Sequence, residues 1–136
     1  MRTLLVISLL AFAAAAGCAK HRDDAAAQAP VVPAVSVDQL ERMLADHSCQ
    51  AVDANGELTR QKMGVIPGAV LLTDADSLDA LPAEKTKHLV FYCTNTSCSA
   101  SHYAAEKAIA AGYTHIKVLP DGIAGWVKAG KNTASL

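Results

Sequence analysis

Short apolar runs alternating with segments of helical spacing restrict this chain more than any other feature. Residues 50–54, 69–72, 89–92 and 115–119 read as strands. Ahead of the first, Ser36-Val37-Asp38-Gln39 fits a capping box, and Leu40, Met43 and Leu44 keep helical spacing to about His47. A second helix is predicted over 99–111, ended by Gly112 at a C′ position, and a last helical turn over 123–128 carries Trp126. Between these, Asn55-Gly56 marks a polar loop, residues 64–68 a turn, and 77–84 a weak helical turn broken by Pro82. Strands that alternate with helices over short connections imply an α/β fold with a mainly parallel sheet, because each parallel pair needs a crossover and a helix supplies it.

The chain has 136 residues, the length of about one domain. Its start reads as an export signal: Arg2 gives a positive n-region, residues 4–16 an apolar stretch short for a bilayer, and Ala15-Ala16-Gly17-Cys18 a small-residue cleavage site. Cys18 after Ala-Ala-Gly is similar to a bacterial lipobox, with Ala15 where Leu is usual, and makes Cys18 a lipidated mature N-terminus. Ordinary cleavage in the same alanine run is the alternative. Either way the domain is expected outside the cytoplasm, in the periplasm, and with the lipid it is anchored to the membrane. Residues 18–34 hold too little large apolar surface to pack and are read as a flexible tether. Residues 35–134, roughly one hundred, are enough for one core without disulfides. The formal net charge of −1 and the lack of a basic stripe speak against nucleic acid.

Cys93 carries the chemistry. It closes the run 89–92 and opens the loop Thr94-Asn95-Thr96-Ser97-Cys98, which feeds into the alanine-rich helix. In α/β sheets ligands bind beyond the carboxyl ends of the strands. A helix N-terminus and loop amides aimed at a thiol favour its thiolate, lowering the pKa from about 8.5 toward roughly 3.5–7.5. No Arg or Lys lies between Cys93 and Ser101, so backbone amides of 94–99 must supply that lowering. Ala104, Ala105, Ala108, Ile109 and Ala111 form a small-residue face that lets the helix approach the sheet.

Four segments resemble the rhodanese (sulfurtransferase) family: Val52-Asp53-Ala54; Gly64-Val65-Ile66-Pro67-Gly68-Ala69; Val90-Phe91-Tyr92-Cys93 before its loop; and Gly112-Tyr113 through Val118 to Gly122-Ile123-Ala124-Gly125-Trp126. The resemblance implies a single rhodanese-like domain with a five-stranded parallel sheet. It also implies that Cys93 takes a sulfane sulfur from a thiosulfate-like or persulfide donor and passes it to a thiol or cyanide. The family's six-residue loop goes with sulfur transfer and a longer one with related phosphatases; Cys93 to Cys98 gives the shorter. The chain departs from the family at Val65, where His is usual, at Asn55, where Arg often follows the strand-end Asp, and at Asp121, where Gly is common.

Other residues keep two readings each. Cys98 either resolves a Cys93 persulfide as a disulfide or is a small loop residue facing the sheet. Thr94, Asn95, Thr96, Ser97 and Ser99 are read as the substrate-binding loop, although Ser97 and Ser99 can instead cap the helix and Asn95 and Thr96 can simply satisfy the turn. His102 is an acid or base near the loop or a solvated surface residue, and Asp53 braces the loop or bonds locally. Cys49 is read as a bystander thiol and Trp126 as core. His21, His47, His88 and His115 lack ligand spacing, so no metal and no cofactor are expected. The expected partner is a small sulfur-containing anion or thiol. The competing functions are a thiol-disulfide redox protein using Cys93 and Cys98, and a rhodanese-like binding module without turnover.

Overall fold

The computed structural model describes residues 28–136. The predicted export segment, Cys18 and the first part of the tether lie outside the described residues. Four parallel strands, β1 (Gln50–Asp53), β2 (Val70–Leu71), β3 (His88–Tyr92) and β4 (His115–Leu119), form a sheet in the order β2-β1-β3-β4. β3 lies at its centre, paired in register from Ala51↔Val90 on one side and Val90↔Lys117 on the other. The expected fifth strand is reduced to one bridge. Val35 N–H donates to Val118 O at 2.8 Å and Val118 N–H to Pro33 O at 2.9 Å, beside β4. Pro33 has no N–H to extend that ladder.

Alternation along β3 sends its side chains to two cores. Leu89, Phe91 and Cys93 join Val52, Ile116 and Val118 under α3 (Ala100–Ala110), whose Ala104, Ala105 and Ala108 are fully buried. Val90 and Tyr92 face the other way, with Leu40 of α1 (Val37–Ala45) and Ile123 and Trp126 of α4 (Gly122–Lys128). Trp126 is core as expected, its indole N–H donating to Asn132 O at 2.8 Å. The capping box of α1 forms in both directions: Gln39 N–H donates to Ser36 Oγ, and Ser36 N–H to Gln39 Oε1. Gly112 follows α3 at φ +95°, a conformation that favours glycine, and ends the helix where predicted.

Two local expectations fail. The polar segment after Asn55-Gly56 is a helix, α2 (Glu57–Met63), and residues 77–84 form turns without a helix. α2 shows no apolar stripe because the residue it buries is Arg60. The Arg60 guanidinium donates to Asp53 Oδ1 (3.2 Å), Asp53 O (3.0 Å) and Leu72 O (2.7 Å), tying together the carboxyl ends of β1 and β2. A buried ion pair of this kind is costly to break, since either partner alone is left as an unpaired charge.

Candidate active site

All three βα connections run from the carboxyl end of a strand into a helix, so the N-termini of α2, α3 and α4 gather at one edge of the sheet. Cys93 stands there, directly after β3, with 1% of its surface exposed. Its carbonyl and that of Thr94 accept from the first amides of α4: Ile123 N–H to Cys93 O at 2.8 Å and Ala124 N–H to Thr94 O at 2.9 Å. This approach explains Gly122. At φ +60°, a Cβ there would lie 2.5 Å from Cys93 O and 2.6 Å from Thr94. The terminal glycine segment thus fixes the start of the cysteine loop, and Asp121 just before it does not disturb the contact.

Within the loop, Asn95 Oδ1 accepts from Ser97 N–H at 3.0 Å, and Asn95 O from Cys98 N–H at 3.0 Å. Asn95 therefore satisfies the turn. Thr94 Oγ1 donates to Asn55 Oδ1 at 2.8 Å, and Asn55 N–H to Asp53 Oδ1 at 2.7 Å. Asp53 accordingly braces the loop through Asn55. The predicted capping role of Ser97 and Ser99 is corrected. Ser99 precedes α3 at φ −95°, ψ −7°, already helical, and neither hydroxyl caps an amide. An N-cap needs extended backbone to turn its oxygen back on the first turn. His102 lies in that first turn, partly exposed, with no hydrogen bond among the described residues.

The loop brings its two cysteines together. Cys93 and Cys98 are joined as a disulfide, with Cα atoms 6.3 Å apart, inside the usual range for such a bond. Cys98 also packs on the Cys93/Ala104 core. Cys93 is buried and Cys98 only partly so. Around Cys93 Sγ stand the Cys98 carbonyl at 3.2 Å and the Ser101 hydroxyl at 3.4 Å. The carbonyl disfavours an anion, whereas the Ser101 hydroxyl can donate to a thiolate once the disulfide is open. Ser101, 1% exposed, was not singled out in the sequence. Its signal was a hydroxyl on the buried side of an otherwise alanine-lined helix.

Beside the loop lies an open groove of about 620 Å³, lined by Asn95 and Thr96 on one wall and Asp121, Ala124 and Lys128 on another. Cys93 is not among its lining residues. Lys128 of α4 adds a positive charge to this lining, while Asp38 and Asp121 add negative charge.

The sequence profile of the rhodanese-like domain matches residues 36–129. The chain belongs to the rhodanese-like domain family. Its fold is shared with solved structures at low identity. The thiosulfate sulfurtransferase of Pseudomonas aeruginosa superimposes with a TM-score of 0.67 at 22% identity, covering 79% of this chain and 20% of that one. A human single-domain sulfurtransferase, TSTD1, gives 0.60 at 22%, covering 72% of this chain and 97% of that one. A Rhodopseudomonas palustris protein whose name suggests a tyrosine phosphatase gives 0.63 at 22%, covering 76% of this chain and 85% of that one. No curated protein matches the sequence. The rhodanese-like assignment supports the α/β fold and the resemblance drawn from the four segments.

Proposed function

We propose that this rhodanese-like domain is a sulfurtransferase that carries sulfane sulfur on Cys93. The observation that supports this reading is the position of Cys93, at the tip of the central strand, under the N-terminus of an eleven-residue helix and beside the Ser101 hydroxyl. Once reduced, the Cys93 thiolate attacks the outer sulfur of a donor such as thiosulfate. The S–S bond of the donor breaks, sulfite leaves with the electron pair, and Cys93 holds a persulfide. An acceptor nucleophile, cyanide or a thiol, then takes the outer sulfur and returns the thiolate. Lys128, which lines the same groove as Asn95 and Thr96, is the side chain suited to meet the charge of an anionic donor. A phosphatase reading finds less support, since the loop offers no Arg or Lys to hold a phosphate.

The test is thiocyanate formation from thiosulfate and cyanide by the pre-reduced protein, with the Cys93 peptide weighed before and after thiosulfate. A gain of one sulfur on that peptide, and loss of turnover in Cys93→Ser, is the expected result. Turnover that survives Cys93→Ser overturns the reading. The Cys93–Cys98 disulfide favours a second reading, thiol-disulfide exchange without sulfur carriage, and that reading expects no sulfur gain under any donor. Neither gain nor exchange leaves the binding-module alternative. The proposal places the domain outside the cytoplasm on a Cys18 lipid, which the mass of the mature N-terminal peptide checks.

A further inference from the structure

The disulfide joins the proposed sulfur carrier to a neighbour that simple sulfur transfer does not need. Cys98 is held over Cys93 by the Asn95 turn, with its Cα 6.3 Å away, while β3 and α3 keep their places in the core. A thiol so placed meets Cys93 Sγ at an effective concentration of about millimolar or higher, whatever the external acceptor supply. The two residues also differ in exposure, Cys93 buried and Cys98 partly exposed. Ser101 Oγ stands by Cys93 alone.

We propose that Cys98 is a resolving nucleophile that turns a bound persulfide into free hydrosulfide. This rests on the reading of Cys93 as a sulfur carrier. The Cys98 thiolate attacks Cys93 Sγ of the persulfide. The Cys93–Cys98 bond forms, the bond from Cys93 Sγ to the outer sulfur breaks, and that sulfur leaves as HS⁻ with the bonding pair. The two cysteines are oxidised to the disulfide and the sulfane sulfur is reduced to sulfide. Reopening takes an external thiol as reductant. Its thiolate attacks Sγ of the more exposed residue, Cys98, and Cys93 leaves as a thiolate beside Ser101. A second equivalent of the thiol attacks the external sulfur of the mixed disulfide, frees Cys98 and leaves as the oxidised reductant. The substrate class is therefore a sulfane donor plus a reducing thiol, and the products are sulfide and a disulfide. In an exported domain without acceptor at hand, this ends the persulfide state and returns the site to the closed form.

The experiment loads the reduced full chain with one equivalent of thiosulfate in the absence of acceptor, then follows hydrosulfide by bimane trapping and the intact mass over time. The expected result for the unmodified protein is release of hydrosulfide with loss of two hydrogens across Cys93 and Cys98. In Cys98→Ser and Cys98→Ala the added sulfur persists and release slows by about tenfold or more. Equal release rates in all three chains overturn the resolving role, as does a persulfide in the unmodified protein that lasts as long as in the variants. If no chain gains sulfur from thiosulfate or from inorganic polysulfide, the sulfur-carrier reading itself fails, and the resolving role with it. A mixed disulfide with glutathione mapped to Cys98 during reduction supports the order of attack, and one mapped to Cys93 overturns it.

Discussion

Cys93 and Cys49 stand at opposite ends of neighbouring strands in one sheet, and their surroundings differ because the chain runs in one direction through every strand. Cys93 follows β3, where helices begin. Cys49 precedes β1, where α1 ends, and it packs, partly buried, against the core that holds Leu40 and Val90. Burial pushes the Cys49 thiol up to about 11, the Asp46 carboxylate adds to the rise, and Lys117 opposes it. Helix starts carry positive partial charge and free N–H groups, and helix ends the reverse. The same residue type is thus offered to chemistry at one edge and kept as a neutral thiol at the other.

The sharpest way to break this comparison is alkylation of the reduced protein at pH 7.5. A thiol with its pKa near 11 exposes a far smaller thiolate fraction than an ordinary one, so Cys49 should react slower than the loop cysteines by roughly two orders of magnitude or more. Peptide mass spectrometry with limiting iodoacetamide reads the ratio, and comparable labelling of Cys49 would sink the argument. Next in size is Gly122→Ala. The added methyl meets the Cys93 carbonyl at a backbone conformation that L side chains avoid, and a loss of about 2–3 kcal/mol is expected. Denaturant unfolding measures it. Turnover should fall further than the folded fraction does, because α4 no longer fixes the loop. An unchanged midpoint would mean that α4 and the loop are not in register.

How much of this edge was legible in the sequence depended on what each residue was bonded to. Ser36 and Gln39 found each other three positions apart, and Gly112 and β4 were readable for the same reason: their causes are local. Cys93 was readable because a strand run ended on it. Arg60 was not, since its partners Asp53 and Leu72 stand at the ends of two different strands and a polar helix that buries a guanidinium shows no apolar period. Lys128 was missed as a cation of the groove because α4 carries it, from far along the chain, to a lining shared with Asn95 and Thr96. Ser99 carried the right residue type for a cap but the wrong backbone, a distinction that composition does not record. The fifth strand was expected from the family and is one bridge at Ala34, where Pro33 stops the ladder.

Ser101→Ala tests the favoured edge at smaller scale. Removing the hydroxyl 3.4 Å from Cys93 Sγ should leave the reduced site with one hydrogen-bond donor fewer for its thiolate. Turnover should then fall by about tenfold at pH 6 and by little at pH 9, where the thiolate forms regardless. A loss independent of pH would assign Ser101 to packing instead.

The smallest effect belongs to the other edge. In the folded protein the Cys49 thiol holds its proton to about pH 11, whereas the unfolded chain releases it near the ordinary value of 9.0. Between those two pH values the unfolded state binds fewer protons than the folded one, so stability falls as pH rises. The contribution is present in full below pH 9, and its loss is complete once the pH has passed 11. Melting temperatures across this window should therefore decline less steeply in Cys49→Ala than in the unmodified protein. The matching change at Cys93 has no such signature while the disulfide is closed, because its sulfur carries no proton. Parallel slopes for the two chains would show that Cys49 is solvated, and that the contrast between the two edges rests on the loop alone.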